Sequence, residues 1–420
     1  MLSALIIPNW YYKGDAEVRL NLAHKPGIYI HTSLSSFSSS SLDSGIEVLT
    51  VGSSDIPGFV VRETLPVDGK VDFVWCPRQE PVIGLGDQST SINEIVFHLF
   101  NYEYLFGMRR SSEHIGNACH AIHHVDLAAN GWNIELKSLH STPDTLKTLK
   151  ERGGYGLTHI GRLNREDRSS FDGKAAEEIL TALRFFLSFS KGIWCNPCLA
   201  VGFDDTENKV WEAWSSPERQ WDSPISWFCP HHPKQLADLF PGFIAKWKNN
   251  DWRDALQEVI YWYLNSNCST LGRGINIDAG IILTQAAIER LAFEYAVKYK
   301  RLIEAEGFKN LRASDKFRLL FSSLDIPIDI PSSLPELCKS AKKHNWIDAP
   351  QAITDIRNSL VHSEHKRRGK FDRVFFPAWS LGQWYLELTL LRICEYCGTY
   401  SNRLTAKWVG QTENVPWAEP

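Results

Sequence analysis

Residues 357–362 read Arg357-Asn358-Ser359-Leu360-Val361-His362. An arginine is charged at any physiological pH and offers a rigid fork of donors that matches a phosphate, whereas a histidine titrates near pH 6.5 and can give or take a proton at neutrality. Together they supply the two functions that RNA cleavage without a metal ion requires. One is proton transfer as the 2′-hydroxyl attacks its own phosphate, and the other is neutralisation of charge on the phosphoryl oxygens. The plainer alternative is an arginine paired to a carboxylate at an interface and a satisfied histidine in the core or on the surface.

A helix must present these residues, and the sequence marks one over Pro350 to His365. Asp348 can cap it, Pro350 suits its first turn, and Gln351 stands three residues after Asp348 as in a capping box. At roughly 100° per residue, with Ile353 as zero, Ile356, Leu360 and Val361 fall on one apolar face, and Arg357 falls near 40°, inside that face. An unpaired guanidinium there would cost several kcal/mol to bury, so Arg357 needs an anionic partner or a cleft. His362 lies roughly 140° further round, beside Asn358, so the two residues would line two walls of a groove. Directly after it come His365, Lys366, Arg367, Arg368 and Lys370, then Arg373, the densest basic run in the chain. Such a run can hold an RNA backbone, or it can be a solvated helix end, where cations are favoured.

Arg-x-x-x-x-His on a late helix of a bundle, with a polar residue directly after the arginine, resembles the HEPN (higher eukaryotes and prokaryotes nucleotide-binding) family. The earlier run Gln285-Ala286-Ala287-Ile288-Glu289-Arg290-Leu291 is in keeping with it. The resemblance spans roughly residues 270 to 400 and implies an all-α bundle that acts as an endoribonuclease, with two motifs meeting across a homodimer or a higher even oligomer to form one composite site. In that scheme His362 transfers protons, Arg357 holds the phosphate, Asn358 orients substrate or His362, and the products are a 2′,3′-cyclic phosphate and a 5′-hydroxyl. Some members of the family only bind nucleotides or proteins, which leaves a non-catalytic module with a β-rich ligand-recognition domain as the alternative. The whole-chain architecture is also similar to ApeA-type abortive-infection proteins of phage defence, which implies a toxin-like effector with a phage-derived or other protein trigger.

Other constellations point elsewhere. Cys195 and Cys198, with Cys229 and His231, offer enough ligands for a tetrahedral zinc site, but buried reduced cysteines beside the apolar run Leu199 to Phe203 account for them better. His114, His120, His123, His124 and Asp126 could form a metal cluster, yet the arrangement lacks the Glu of a His-Glu-x-x-His motif. Gly153-Gly154-Tyr155-Gly156 lacks the Lys and Ser/Thr of a phosphate loop and reads as a turn. No cofactor is expected.

The elements that must carry these residues follow from periodicity. Up to about residue 140 the chain shows short extended runs, at Gly27 to His31, Ile46 to Val51, Phe59 to Leu65 and Val71 to Trp75, with a serine-rich loop at residues 33–41. A helix is expected over Ala175 to Phe189, a strand pair at Leu199 to Phe203 and Val210 to Trp214, and helices over Gln235 to Trp247 and Trp252 to Leu264. Then a bundle follows, with helices at Asp278 to Ile303, Ser314 to Leu324, Leu334 to His344, Pro350 to His365 and Leu381 to Cys397. The fold class is therefore α+β multidomain, with a β-rich N-terminal region (1–150) for sensing or target recognition, a mixed α/β middle region (151–270) and a C-terminal all-α helical bundle (271–420), which the resemblance implies is a HEPN domain.

Composition sets bounds. The 420 residues include 45 Lys plus Arg against 49 Asp plus Glu, a net charge of −4, so any RNA site must be a local patch and not a general field. No apolar run approaches bilayer length and the N-terminus lacks a signal-peptide pattern, so a cytoplasmic protein is expected. Nine cysteines in so long a chain do not suggest a disulfide framework.

Overall fold

The computed structural model describes residues 5–7, 10–12, 14–23, 25–35, 48–52, 54–63, 70–106, 109–115, 118–270, 276–361, 371, 373–405 and 408–418. The fold is α+β, with strands concentrated in the N-terminal half and helices in the C-terminal half. His362, His365, Lys366, Arg367, Arg368, Lys370 and most of the serine-rich loop lie outside the described residues.

After a short pair, β1 (Leu5–Ile7) and β2 (Trp10–Tyr12), comes a five-stranded antiparallel sheet. It is built from β3 (Gly14–Asn21), β4 (Gly27–Ser35), β5 (Val48–Val51), β6 (Ser54–Glu63) and β7 (Lys70–Pro77), in the order β3-β4-β7-β6-β5. Its alternate residues Ile28, Ile30, Phe73 and Trp75 bury one face against Val82 and Trp214. Those two belong to the next sheet, so the two sheets share a small core.

The central sheet has eight antiparallel strands. Its members are β8 (Val82–Leu85), β10 (Glu94–Phe100), β11 (Arg109–Ile115), β12 (Ala118–Ala129), β13 (Trp132–Ser138), β14 (Leu157–Arg165), β16 (Cys198–Phe203) and β17 (Lys209–Trp214), ordered β11-β12-β13-β14-β10-β16-β17-β8. The short strands β9 (Ser91–Ile92) and β15 (Phe171–Asp172) pair separately. Alternation decides which face is wet. Ile95, Phe97, Leu99, Val125, Leu127, Ile134, Leu136 and Leu163 all point into the main core, while Glu94, His98, Asp126, Glu135, Lys137 and Arg162 take the opposite face. Gly161 leaves room for the Phe97 ring, since a Cβ there would sit 2.0 Å from Phe97 Cζ.

Helix α1 (Thr142–Arg152) separates β13 from β14, and the helices α2 (Gly173–Lys191) and α3 (Lys234–Trp247) join the core of the inner face. The side chain of Asp172 accepts from Ala175 N at 2.8 Å to start α2, and Gly192 in the left-handed region ends it. Phe186 packs edge-on against Phe240 and Phe243 of α3. β13 and β14 lie on either side of residue 150 and are neighbours in register, so one sheet runs from Val82 to Trp214. Reading along the chain missed α1, a short helix whose start carries Pro143.

The C-terminal part is a helical bundle: α4 (Asn250–Thr270), α5 (Ile277–Phe293), α6 (Ala305–Asn310), α7 (Ala313–Ser323), α8 (Pro335–His344), α9 (Ala349–Val361) and α10 (Phe375–Ile393), closed by the strand pair β18 (Thr399–Tyr400) and β19 (Glu413–Asn414). The long helix expected to reach Ile303 changes to π-helical winding over Glu294–Tyr299, where buried Glu294 takes both Arg290 at 2.7 Å and Lys298 at 3.2 Å. The last helix starts at Phe375, six positions before the expected Leu381. Gly382 lets α10 approach α5, because a Cβ there would come within 2.7 Å of Thr284 Cγ2. Among the described residues no helix is long and apolar enough to cross a membrane.

Candidate functional site

The start of α9 is fixed by the residues the sequence singles out. Gln351 N donates to Asp348 Oδ1 at 2.9 Å, and the Gln351 side chain accepts from Ile347 N at 3.1 Å, one residue earlier than the usual reciprocal bond. Asp348 is buried and is gripped from α7 by the Arg318 guanidinium, Nε to Oδ2 at 2.5 Å and Nη2 to Oδ1 at 2.9 Å. Ala349, Ala352, Ile353 and Ile356 then bury the inner face of α9 against α5, α7 and α10.

Arg357 is half-buried, as its position on the wheel requires. Its Nε is buried and, among the described residues, has no hydrogen-bond partner, while Nη1 reaches only Asn358 Oδ1 among them, at 3.4 Å. An arginine cannot relieve that deficit by losing its proton, so the open donor favours an anion. Ser359 turns inward and donates to Ile356 O at 2.6 Å, leaving Arg357 and Asn358 as the polar groups of this turn. On α5, Gln285 is buried, donates to Glu289 Oε1 at 2.9 Å and leaves its own Oε1 without a partner. Past α9, buried Phe371 is anchored on His344 and Trp346, and Arg373 has a positive φ and an exposed side chain.

The zinc candidates do not converge. Cys195, Cys198 and Cys229 are buried, His231 is exposed and stacks on Phe106 at 4.3 Å, and the four are not among the described groups whose ligand atoms cluster. Burial pushes the Cys195 thiol up to about 11, which suits a packed thiol better than a ligand thiolate. His123 is buried in β12, and the side chains of His114 and His120 are outside the described residues. His124 and Asp126 do come together, with Glu135 of the next strand, which sequence reasoning missed. The signal was two alternating patterns, His124-Val125-Asp126 and Ile134-Glu135-Leu136, whose register only the sheet sets.

Two family models match the chain: the YopA central domain over residues 87–224 and the YopA C-terminal domain over residues 249–414. The first covers the central sheet from β10 to β17, and the second covers the bundle. The chain is 30% identical over 373 residues to the SPbeta prophage-derived uncharacterized protein YopA of Bacillus subtilis (strain 168), a span of 86% of this chain and 81% of that relative. No solved structure matches.

Proposed function

This chain belongs to the YopA family, and for its helical C-terminal domain we propose metal-independent cleavage of RNA at the α9 motif, of the HEPN type. What supports the reading most is the open Nε of Arg357, held half-buried on a helix whose start is doubly anchored. A phosphate is the anion that a fixed guanidinium accommodates best.

In this mechanism Arg357 binds the scissile phosphate and neutralises the charge that builds on its oxygens, Asn358 orients substrate or His362, and His362 moves the proton as the 2′-hydroxyl attacks. One chain carries one copy of the motif on a helix, the same spacing at Arg19 and Arg109 starting on strands, so two chains complete the site as a homodimer. The run His365, Lys366, Arg367, Arg368, Lys370 and Arg373 holds the RNA backbone, and the β-rich part selects the target or receives a protein trigger. The relative's prophage origin fits a toxin-like or phage-defence effector that acts in the cytoplasm.

The test is cleavage of RNA by the purified full chain in excess EDTA, with product ends identified. Wild type should leave 2′,3′-cyclic phosphate and 5′-hydroxyl ends, and Arg357→Ala and His362→Ala should each slow cleavage by about a hundredfold or more. Undiminished cutting by both variants would sink the assignment.

A further inference from the structure

The outer face of the central sheet carries a second constellation, remote in sequence from α9. His124 and Asp126 stand two residues apart on β12 and so share a face, and Glu135 of β13 is the direct cross-strand partner of Asp126. The ligand atoms of the three all lie within 4.8 Å of one another. Among the described residues Nδ1 of His124 is buried and has no hydrogen-bond partner, although imidazole nitrogens in such settings normally find one.

Carboxylates placed directly opposite one another across two strands repel. Lys137 of β13 and Arg109 of β11 stand opposite His124, and Arg162, which also bonds Glu94 at 3.1 Å, stands opposite Glu135. A divalent cation between the three side chains would be shared by both carboxylates and the imidazole.

We propose that this face of the sheet binds one divalent first-row transition-metal ion through His124, Asp126 and Glu135. One imidazole and two carboxylates suit Mn2+, Fe2+ or Zn2+, whereas Mg2+ and Ca2+ prefer oxygen alone. Donors at about 2.1 Å from one ion are at most about 4.2 Å apart, so binding closes the trio by a few tenths of an ångström, within the reach of side-chain rotation. Three protein ligands leave coordination positions open to water or to an oxygen of a bound molecule. The strands hold the ligands rigidly, since their opposite faces are locked by Val125, Leu127, Ile134 and Leu136 in the core.

Mn2+ is the appropriate probe, because the chain's thiols would compete for zinc. The full chain is stripped with EDTA, exchanged into metal-free buffer and titrated with Mn2+, with the free ion followed by electron paramagnetic resonance. Wild type should take up one Mn2+ per chain. Glu135→Gln and His124→Ala should each weaken uptake by at least about tenfold, while Glu212→Gln, on β17 of the same sheet and remote from the trio, should leave it unchanged. Mn2+ should also raise the melting temperature of wild type and not that of Glu135→Gln, a comparison that holds even if the metal-free variants differ in stability. No saturable uptake by wild type below about 1 mM, or wild-type uptake by both ligand variants, overturns the proposal. Cleavage at α9 needs no metal, so its outcome in EDTA is independent of this one.

Discussion

Two arginines of the helical bundle have opposite fates. Arg403 is fully buried and bonds the equally buried Glu387 through Nε at 2.9 Å and Nη2 at 2.5 Å, with Nη2 also donating to Ile225 O, and Tyr263 adds a further bond to Glu387 at 2.7 Å. Only Nη1 of that guanidinium is open. Among the described residues Arg357 has no carboxylate as a hydrogen-bond partner and a single long contact, to its neighbour Asn358. The first pattern is that of a structural pair, which neutralises its charge within the fold. The second leaves charge to be neutralised from outside. His159 shows the route an arginine lacks: it is fully buried with both ring nitrogens unpartnered, and burial, with the Lys191 ammonium adding to it, holds its pKa down at about 3, so it stays neutral.

The contrast can be broken by experiment. The largest effect is expected for Glu387→Ala, which strands the Arg403 charge in the core and should destabilise the chain by about 3–5 kcal/mol in urea unfolding. A loss below about 1 kcal/mol would mean the pair is not structural. Next comes acidification. Since the folded pKa of His159 lies below its unfolded value near 6.5, the unfolded chain binds the extra proton between those limits. Stability due to this residue is thus full above pH 6.5 and falls as the pH drops toward 3, by roughly 2 kcal/mol at pH 5. In His159→Phe that part of the pH dependence should vanish, as read from unfolding curves at pH 7 and pH 5. The smallest effect on stability is expected for Arg357→Ala, within about 0.5 kcal/mol of wild type, although the same change should slow cleavage by about a hundredfold or more. If Arg357→Ala unfolds the protein as readily as Glu387→Ala, the two arginines do the same job and the distinction fails.

Much of this was legible in the residues. The cap at Asp348, the inward turn of Arg357 and the pairing of Leu199 to Phe203 with Val210 to Trp214 are consequences of local pattern, because helical and strand periodicity depend only on near neighbours. The pairing of β13 with β14 across residue 150 was not legible. β13 and β14 are split by α1 in the chain yet adjacent in the sheet, and no local signal announces that a strand after a helix will return to its predecessor. The partner of Asp348 was hidden for the same reason, since Arg318 lies on another helix.

The sequence by itself determined the α+β class, the helix that presents Arg357 and the chemistry that arginine and histidine can perform. Only the tertiary structure decided which polar groups are answered. Among the described residues it gave Glu387 to Arg403 and nothing but Asn358 to Arg357, it kept the cysteines of residues 195, 198 and 229 apart from a metal cluster with His231, and it laid Glu135 beside His124 and Asp126. The physical reason is that charge compensation depends on distances across packed elements, which sequence separation does not encode.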